Sequence, residues 1–278
     1  MSRPLLSLEG LRVQFPGKGW RAPGHEVLHG VDLHVEAGRT HGLVGGSGSG
    51  KTTIGRAILG LVPVAGGTIT FDGQPIHGAG ARARRRLSRD IQVIFQDPYT
   101  SLNPSLTVGD TLAEPLLGQR LGAREARRRI AGLLDAVALP ADSADRLPRE
   151  FSGGQRQRIA IARALAIGPR LIVCDEPVSA LDLTTQRTVL DLLQEIQRST
   201  GVAYLFVSHD LAVVRHVSDV VSVIRRGEIV ESGPVAQVTE RPQHPYTRQL
   251  LLSAPVADPV AQRARREAYR REFAGVRG

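Results

Sequence analysis

Apolar and polar residues alternate along the first part of the chain, as they do in strands with one buried face. The pattern runs from Leu6 to Phe15 and resumes over residues 27–35, with a loop predicted at 16–26. Residues 67–73 predict a third short strand between glycine turns. We therefore expect antiparallel strands at the N-terminal end.

Three later segments, residues 91–96, 171–176 and 202–208, are mostly apolar, which is typical of buried strands. Residues 40–44 predict a further short strand that enters a glycine turn. Helical spacing of apolar residues occurs between them, at 54, 57, 58 and 61, at 130, 133, 134 and 137, and within 156–166. We expect the first of these helices to end at Val62 and Pro63. Residues 219–225 and 228–231 predict a hairpin, and the whole pattern predicts an α/β fold.

A glycine-rich turn joins the strand at 40–44 to the helix that follows it. Its sequence fits G-x-x-x-x-G-K-[ST], a pattern that requires this strand and this helix around it. Such a turn lets several backbone N–H groups bind one polyphosphate, and the helix N-terminus faces the same anion. A flexible glycine-serine loop is the alternative, but the flanking elements favour a nucleotide site. The residues of this phosphate loop are Gly45, Gly46, Ser47, Gly48, Ser49, Gly50, Lys51, Thr52 and Thr53.

Lys51 and Thr52 provide the side-chain chemistry of the phosphate loop. Lysine is a compact cation that suits the β- and γ-phosphates, and the threonine hydroxyl can bind Mg²⁺. The chain has only one other lysine, Lys18, and all of its other Lys and Arg residues are arginines. The loop by itself predicts binding of a nucleoside triphosphate.

Polar residues follow three of the buried strands at their carboxyl ends, where ligands bind in open α/β sheets. Gln96 follows the first, Asp175 and Glu176 the second, and His209 the third. Asp175 can hold Mg²⁺, and Glu176 can polarise an attacking water. The alternatives are a turn glutamine, idle surface acids and a structural histidine.

A second loop with a serine and two glycines comes before the helix predicted at 156–166. Ser152, Gly153, Gly154 and Gln155 can bind an anion at the helix N-terminus, or Ser152 can simply cap the helix. The residues alone leave both alternatives open. Asp182 is expected to cap a further helix that runs to about Thr200.

Composition narrows the class of protein. The chain has 278 residues, of which 41% are hydrophobic and 23% charged, as in ordinary globular proteins. It has no apolar run long enough to span a bilayer and no signal-peptide core, so we expect a cytosolic location. The net charge of +9 suggests an anionic partner, but only 4% of residues are aromatic, which favours solvated arginine faces over a nucleic-acid surface. The single Cys174 excludes an internal disulfide and is expected to be buried in its strand.

These motifs resemble, in order and over nearly the whole chain, those of the ATP-binding subunits of ABC transporters. The phosphate loop matches the Walker A motif, 171–176 matches Walker B, 151–155 the signature motif and 179–182 the D-loop. Gln96 matches the Q-loop glutamine and His209 the switch histidine. Residues 95–104 and 244–247, with 250–255, resemble the oligopeptide/dipeptide importers, a pattern that nickel importers largely share. Gly46 departs from this subfamily, which often has glutamate there.

The resemblance implies an α/β fold with a P-loop NTPase (RecA-like) core, an N-terminal antiparallel β subdomain, a helical subdomain and a short C-terminal extension. It places the ATPase domain at 1–233 and the helical subdomain at about 97–165. The extension, with a mobile basic tail, would occupy 234–278.

The same resemblance implies a role for each candidate residue. Phe15 would stack on adenine, and the phosphate loop would hold the triphosphate of ATP. Thr52, Gln96 and Asp175 would arrange Mg²⁺, and Glu176 would be the general base. Lys51, Gln96 and His209 would complete the catalytic set, with His209 on the γ-phosphate. Ser152 and Gly154 would contact the γ-phosphate of nucleotide on the opposite subunit, and Gly153, Gln155 and Asp182 would complete the nucleotide-binding set.

Partners also follow from the resemblance. ATP would be enclosed between two such chains, either a paralogous pair or two copies. Closure of that dimer would move two membrane permease subunits that receive solute from an extracytoplasmic binding protein. The chain would lie at the cytoplasmic face of the membrane and bind no specific nucleic acid. The alternatives are an importer of nickel or another small solute, and a soluble ABC ATPase in DNA repair or on ribosomes, which a single cassette without a coiled-coil insertion disfavours.

Overall fold

The computed structural model describes residues 3–17, 24–97, 101–119, 122–253 and 263. The chain divides into two compact units. The carboxylate unit, named here after Asp175 and Glu176, comprises residues 1–5, 35–40 and 78–207. The phosphate-loop unit comprises residues 6–34, 41–77 and 208–278.

Strands and helices alternate along most of the chain. The strands are β1 (Leu6–Phe15), β2 (His25–Val35), β3 (Thr40–Val44), β4 (Gly66–Phe71), β5 (Gln74–Pro75), β6 (Ile91–Ile94), β7 (Leu171–Asp175), β8 (Ala203–Ser208), β9 (Val220–Arg225) and β10 (Glu228–Pro234). The α-helices are α1 (Lys51–Ile58), α2 (Ala81–Asp90), α3 (Val108–Ala113), α4 (Ala123–Ala136), α5 (Gly153–Leu165), α6 (Leu183–Thr200), α7 (Leu211–Val217), α8 (Val235–Glu240) and α9 (Pro245–Ser253). Short 3₁₀ helices lie at Glu114–Gln119, Ala141–Asp145 and Pro148–Glu150.

The phosphate-loop unit contains the antiparallel strands predicted at the N-terminal end. β1 pairs antiparallel with β4, so that Leu8 lies opposite Ile69, and both residues are almost completely buried. In the same unit β3 runs parallel to β9, and β9 pairs antiparallel with β10. The predicted hairpin turn is confirmed at Arg226 and Gly227, which both have positive φ.

The carboxylate unit is built on parallel strands. β7 lies between β6 and β8, with Ile94 opposite Cys174 and Cys174 opposite Phe206. All residues of β8 and all but the last of β7 are buried, as expected for strands covered on both faces. Because β6 and β7 are parallel, the residues that follow them lie at the same sheet edge. Cys174 is confirmed as a buried residue of its strand, and burial raises the pKa of its thiol.

His41 occupies a polar position in the core of the phosphate-loop unit. It is 3% exposed, and its Nε2 lies 2.8 Å from the Ser222 hydroxyl, which lies 2.8 Å from the Ser232 hydroxyl. This chain of contacts joins β3, β9 and β10. Burial lowers the pKa of His41 to about 4, because the imidazolium would lose its hydration inside the protein.

Several predicted boundaries are wrong; β10 runs to Pro234 rather than ending at residue 231, and β4 ends at Phe71 rather than at residue 73. The helix α1 ends at Ile58 rather than at Val62, because Gly60 adopts φ +70° and the N–H of Leu61 returns to the Arg56 carbonyl, a glycine C-cap that leaves Leu61 63% exposed. β6 ends at Ile94, two residues before Gln96. The helix predicted from residue 156 begins at Gly153, since Ser152 caps it there.

Other predicted boundaries are confirmed or nearly so. β1 spans the predicted residues, and α6 runs to Thr200 behind its cap at Asp182. β2 begins two residues earlier than predicted, at His25. Of the predicted C-terminal extension, residues 254–262 and 264–278, which include most of the basic tail, lie outside the described residues. Within the described ranges, no helix is long and apolar enough to cross a membrane.

Candidate functional site

The phosphate loop joins β3 to α1, and its glycines are required by space and by conformation. A Cβ atom at Gly45 would lie 2.3 Å from the Ile224 carbonyl oxygen, so no larger residue fits there without moving β9. Gly48 and Gly50 have φ of +73° and +109°, which side chains other than glycine rarely adopt. The loop is therefore held as a tight turn against β9.

Lys51, the first residue of α1, is sequestered in this turn. It is 5% exposed, and its Nζ donates hydrogen bonds to the carbonyl oxygens of Gly45 at 2.8 Å and Gly46 at 2.9 Å. The loop therefore curls around the ammonium group and fixes its position. Lysines are rarely buried so fully, and a buried cation marks a site of functional interest.

Two further observations indicate that the phosphate loop can bind a polyphosphate. The first turn of α1 contains no acidic residue that would repel an anion from the helix N-terminus. The Ser49 hydroxyl is buried and has no hydrogen-bond partner among the described residues. A buried hydroxyl without a partner costs stability unless a ligand or water uses it.

Tyr246, which is not among the site residues predicted from the sequence, contacts the phosphate loop. The Gly46 N–H donates a hydrogen bond of 2.9 Å to its hydroxyl oxygen. The side chain comes from α9, 200 positions further along the chain. The only sequence signal was the His-Pro-Tyr-Thr segment, which carries no chemistry that would point to the loop.

Phe15 and His209 also lie in the phosphate-loop unit. Phe15 is the half-buried last residue of β1. His209 is exposed and directly follows β8, as predicted. The next residue, Asp210, caps α7 by accepting the Ala212 N–H at 2.7 Å, which fixes the turn that carries His209.

The other candidate residues lie in the carboxylate unit, where Asp175 and Glu176 follow one another at the end of β7. Glu176 has φ +49°, an uncommon value for a residue with a side chain. Its N–H donates to the Val207 carbonyl at 3.0 Å, and its carbonyl accepts from the Ser179 hydroxyl at 3.1 Å. Strain of this kind costs of order 1–3 kcal/mol and persists where the surroundings impose it, often at functional sites.

Gln96 lies beyond the end of β6, at the same sheet edge as the Asp175–Glu176 pair. Its side chain is exposed, whereas Asp175 and Glu176 are half-buried. No cluster of three His, Cys, Asp or Glu side chains suited to a metal occurs in the described part of the chain. Mg²⁺ is commonly bound through one or two carboxylates together with phosphate oxygens and water, so Asp175 fits a magnesium ligand of that type.

The loop at Ser152 shows the capping arrangement that the sequence left open. The Ser152 hydroxyl accepts the Gln155 N–H at 3.3 Å, and the Gln155 side chain accepts the Ser152 N–H at 2.9 Å. This capping box stabilises the start of α5 and leaves Ser152 exposed. Capping therefore does not remove Ser152 from solvent.

Gly154, inside the same loop, packs directly against α6. A Cβ atom at Gly154 would lie 2.3 Å from the Thr185 methyl group. The Thr185 hydroxyl is fixed in turn by a 2.6 Å hydrogen bond to the Asp182 carboxylate, which also accepts the N–H groups of Thr184 and Thr185. The hydrogen bond from the Thr185 hydroxyl, with those backbone N–H groups, lowers the pKa of Asp182. The structure thus connects the glycine loop to the N-terminus of α6.

A family profile described as ABC transporter matches residues 28–179, more than half of the chain. The chain belongs to the ABC transporter family. A second profile, for the C-terminal region of oligopeptide/dipeptide transporters, matches residues 230–274 of this ABC cassette. The resemblance predicted from the motifs is confirmed by these two matches.

Curated relatives of the cassette are glutathione import ATP-binding proteins named GsiA. The protein of Pectobacterium atrosepticum is 50% identical over 263 residues, and that of Escherichia coli strain K12 is 48% identical over 268 residues. The matches cover 93% and 95% of this chain but only 42% and 43% of those proteins. The chain thus spans less than half the length of the curated relatives it matches.

Solved structures of ABC cassettes resemble the chain throughout its core. The cbiO1 protein of Clostridium perfringens, part of the ABC transporter complex cbiONQ, has a TM-score of 0.77 at 26% identity and covers 86% of this chain and 92% of its own. A dimeric ATP-binding cassette bound to ADP and Pi has a TM-score of 0.74 at 28% identity, with coverage of 83% and 98%. The predicted α/β P-loop fold is confirmed.

Proposed function

We propose that this cassette is the ATP-hydrolysing subunit of an ABC importer for peptide-like solutes. The observation that carries the proposal is the match of residues 230–274 to the C-terminal region of oligopeptide/dipeptide transporters, on a chain that also has the phosphate loop. The relatives named for glutathione import support the same class of solute, since glutathione is a small peptide. Oligopeptides and dipeptides are the solutes that we infer.

Binding of ATP is assigned to the phosphate loop and the residues of its unit. The buried Lys51 ammonium and the N–H groups of the loop would hold the β- and γ-phosphates, and Thr53 would add a hydroxyl. Phe15, half-buried at the end of β1, would stack on adenine. His209 would contact the γ-phosphate, because its exposed position after β8 leaves it accessible to a ligand.

Hydrolysis is assigned to the residues after β6 and β7. Mg²⁺ held by Thr52, Gln96 and Asp175 would neutralise charge on the phosphates. Glu176 would accept a proton from the attacking water, and its backbone is fixed by the hydrogen bond from its N–H to the Val207 carbonyl. Lys51 would stabilise the charge that develops on the phosphate oxygens.

A second subunit would complete each site. We propose that Ser152 and Gly154 contact the γ-phosphate of nucleotide on the opposite chain, and that Gly153, Gln155 and Asp182 complete the nucleotide-binding set. The exposure of Ser152 and the dimeric structure of a related cassette bound to ADP and Pi support this arrangement. ATP must bind the closed dimer much more tightly than the open one, since otherwise its binding moves nothing. The partner would be a paralogue or a second copy.

Closure of the dimer would drive two membrane permease subunits that receive solute from an extracytoplasmic binding protein. The chain would then act at the cytoplasmic face of the membrane. We also propose the domain division inferred from the motifs, with the ATPase domain at 1–233, its helical subdomain at about 97–165, and the C-terminal extension at 234–278. An importer of nickel or another small solute is the second candidate, because such importers share much of the motif pattern.

Uptake by intact cells tests the solute class. Cells from which this gene is deleted are supplied with labelled glutathione, a labelled dipeptide or ⁶³Ni²⁺, with the wild-type gene or the Lys51→Ala variant restored. We expect peptide or glutathione uptake to return with the wild type alone. Restored nickel uptake without peptide uptake would select the second candidate, and no change for any solute would reject import.

A further inference from the structure

The peptide unit between Gly45 and Gly46 is held from both sides. Its carbonyl oxygen accepts a hydrogen bond from Lys51 Nζ at 2.8 Å, and its N–H donates to the Tyr246 hydroxyl at 2.9 Å. A peptide between two glycines has little steric resistance to rotation, because neither residue has a Cβ atom. These two hydrogen bonds therefore set the orientation of this peptide plane.

Tyr246 is itself fixed by contacts within the phosphate-loop unit. The Arg225 guanidinium lies 4.9 Å from the centre of its ring, at a distance suited to a cation–π interaction. The backbone N–H of Tyr246 donates to His244 Nδ1 at 3.1 Å. The side chain thus approaches the loop from a set direction.

The segment that carries Tyr246, residues 243–253, is here called the C-terminal arm. The Glu231 carboxylate on β10 accepts the N–H groups of Gln243 at 2.8 Å and His244 at 3.1 Å. Burial alone would raise the pKa of Glu231, but the Gln243 N–H, the neighbouring Thr247 side chain and the His244 N–H together outweigh it, and the pKa lies below its usual value. An ionised carboxylate therefore anchors the start of the arm.

Glycine at position 46 admits the tyrosine hydroxyl. A Cβ atom at this position would lie 3.1 Å from the hydroxyl oxygen, closer than most carbon contacts. Any larger residue at position 46 would place its side chain beside this contact. The pairing of Gly46 with Tyr246 therefore gives this chain a close approach between the arm and the phosphate loop.

We propose that Tyr246 is a positioning residue for nucleotide binding and that it acts through the Gly45–Gly46 peptide and Lys51. The proposal rests on the ATP-binding function assigned above. When the peptide plane is fixed, Lys51 keeps its acceptor and the loop is already in its binding form, which lowers the entropy cost of binding phosphate. Coupling of this kind is reciprocal, so bound nucleotide must also stabilise docking of the C-terminal arm.

Tyr246→Phe in the full chain tests the proposal, because it removes the hydroxyl and keeps the ring. We expect the KM and the Kd for ATP to rise about 2- to 10-fold, the range of one neutral hydrogen bond, with kcat unchanged. Tyr204→Phe is the matched control, since it deletes another tyrosine hydroxyl, which donates to the Leu193 carbonyl at 3.2 Å. This control should leave both the KM and the Kd at their wild-type values.

Hydrogen exchange of the C-terminal arm gives the second measurement. ATP should slow exchange at residues 243–253 in the wild type and do so much less in Tyr246→Phe. Equal Kd values in the two proteins, or a fall in kcat with the KM unchanged, would overturn the positioning role. A wild type that binds ATP without hydrolysing it would reject the proposed ATPase activity, while the Kd ratio would still decide the role of Tyr246. A wild type that does not bind ATP would reject both.

Discussion

The Lys51 ammonium lies 2.8 Å from the Gly45 carbonyl oxygen and donates a hydrogen bond to it, although Lys51 is only 5% exposed. A lysine in a solvated loop would have its cation in water and would lose mobility when it met a phosphate. Here the fold has already removed most of the water and fixed the side chain. The cost of placing this charge is therefore met by folding rather than by nucleotide binding.

Lys51→Ala should weaken ATP binding. A hydrogen bond to a charged group contributes about 1.5–3 kcal/mol, so we expect the Kd for ATP to rise about 10- to 100-fold, and turnover to fall with it. Isothermal titration calorimetry measures the Kd directly. Lys18→Ala is the matched control because it removes the only other lysine, which lies outside the described residues. Wild-type affinity in Lys51→Ala would contradict the assignment.

Gly154→Ala should destabilise the carboxylate unit. The new methyl group would lie 2.3 Å from the Thr185 methyl group, and Thr185 is held by its hydrogen bond to Asp182. Overpacking of this kind costs about 1–3 kcal/mol, which should lower the Tm by several degrees. Thermal unfolding followed by circular dichroism measures the change.

Adding Thr185→Ser to Gly154→Ala gives the rescue experiment. Serine keeps the hydroxyl that bonds Asp182 and lacks the methyl group, so the double variant should recover most of the lost Tm. Gly132→Ala on α4 is the control, because a Cβ atom there meets nothing within 4 Å. An equal loss in the single and double variants would show that the Thr185 methyl group is not the cause.

The sequence predicted most strands and the order of the site motifs, because each depends on short-range patterns. Alternation of apolar and polar residues predicted β1, and continuous apolar runs predicted β7 and β8. The end of α1 was mispredicted because apolar spacing continues to Leu61, whereas the glycine cap at Gly60 stops the helix earlier. A local backbone conformation decided that boundary against the hydrophobic pattern.

Long-range contacts could not be predicted from local patterns. Nothing in the spacing of residues connects Tyr246 to Gly46, which lie 200 positions apart. The strained backbone of Glu176 was equally hidden, because it depends on pairing with Val207 and on the turn to Ser179. Sequence motifs predict which side chains carry the chemistry, whereas the surrounding fold determines how they are held.

His41 should make stability depend on pH. Its pKa is about 4 in the folded chain and about 6.5 when unfolded, so the unfolded state binds more protons between these values. Stability is therefore complete above pH 6.5 and is lost as the pH falls towards 4, by about 2 kcal/mol between pH 8 and pH 5. Urea unfolding at a series of pH values measures this loss.

His41→Gln should remove that part of the pH dependence, although it will also lower stability at pH 8 if the contact with Ser222 is weakened. His25→Asn, at an exposed histidine, is the control and should keep the wild-type dependence. A His41→Gln curve parallel to the wild type from pH 8 to pH 5 would show that another group is responsible.

Glu176→Gln tests most directly whether Glu176 is the general base of ATP hydrolysis. The amide keeps the size of the side chain but cannot accept the proton, so turnover should fall at least about 100-fold. ATP binding should stay within about two-fold of wild type, since no phosphate contact is assigned to this side chain. Glu195→Gln, at an exposed acid on α6, is the matched control and should hydrolyse ATP normally. The measurement is the steady-state release of phosphate by Glu176→Gln at saturating ATP: almost none is the predicted result, and release within a few-fold of the wild-type rate would contradict the general-base role of Glu176.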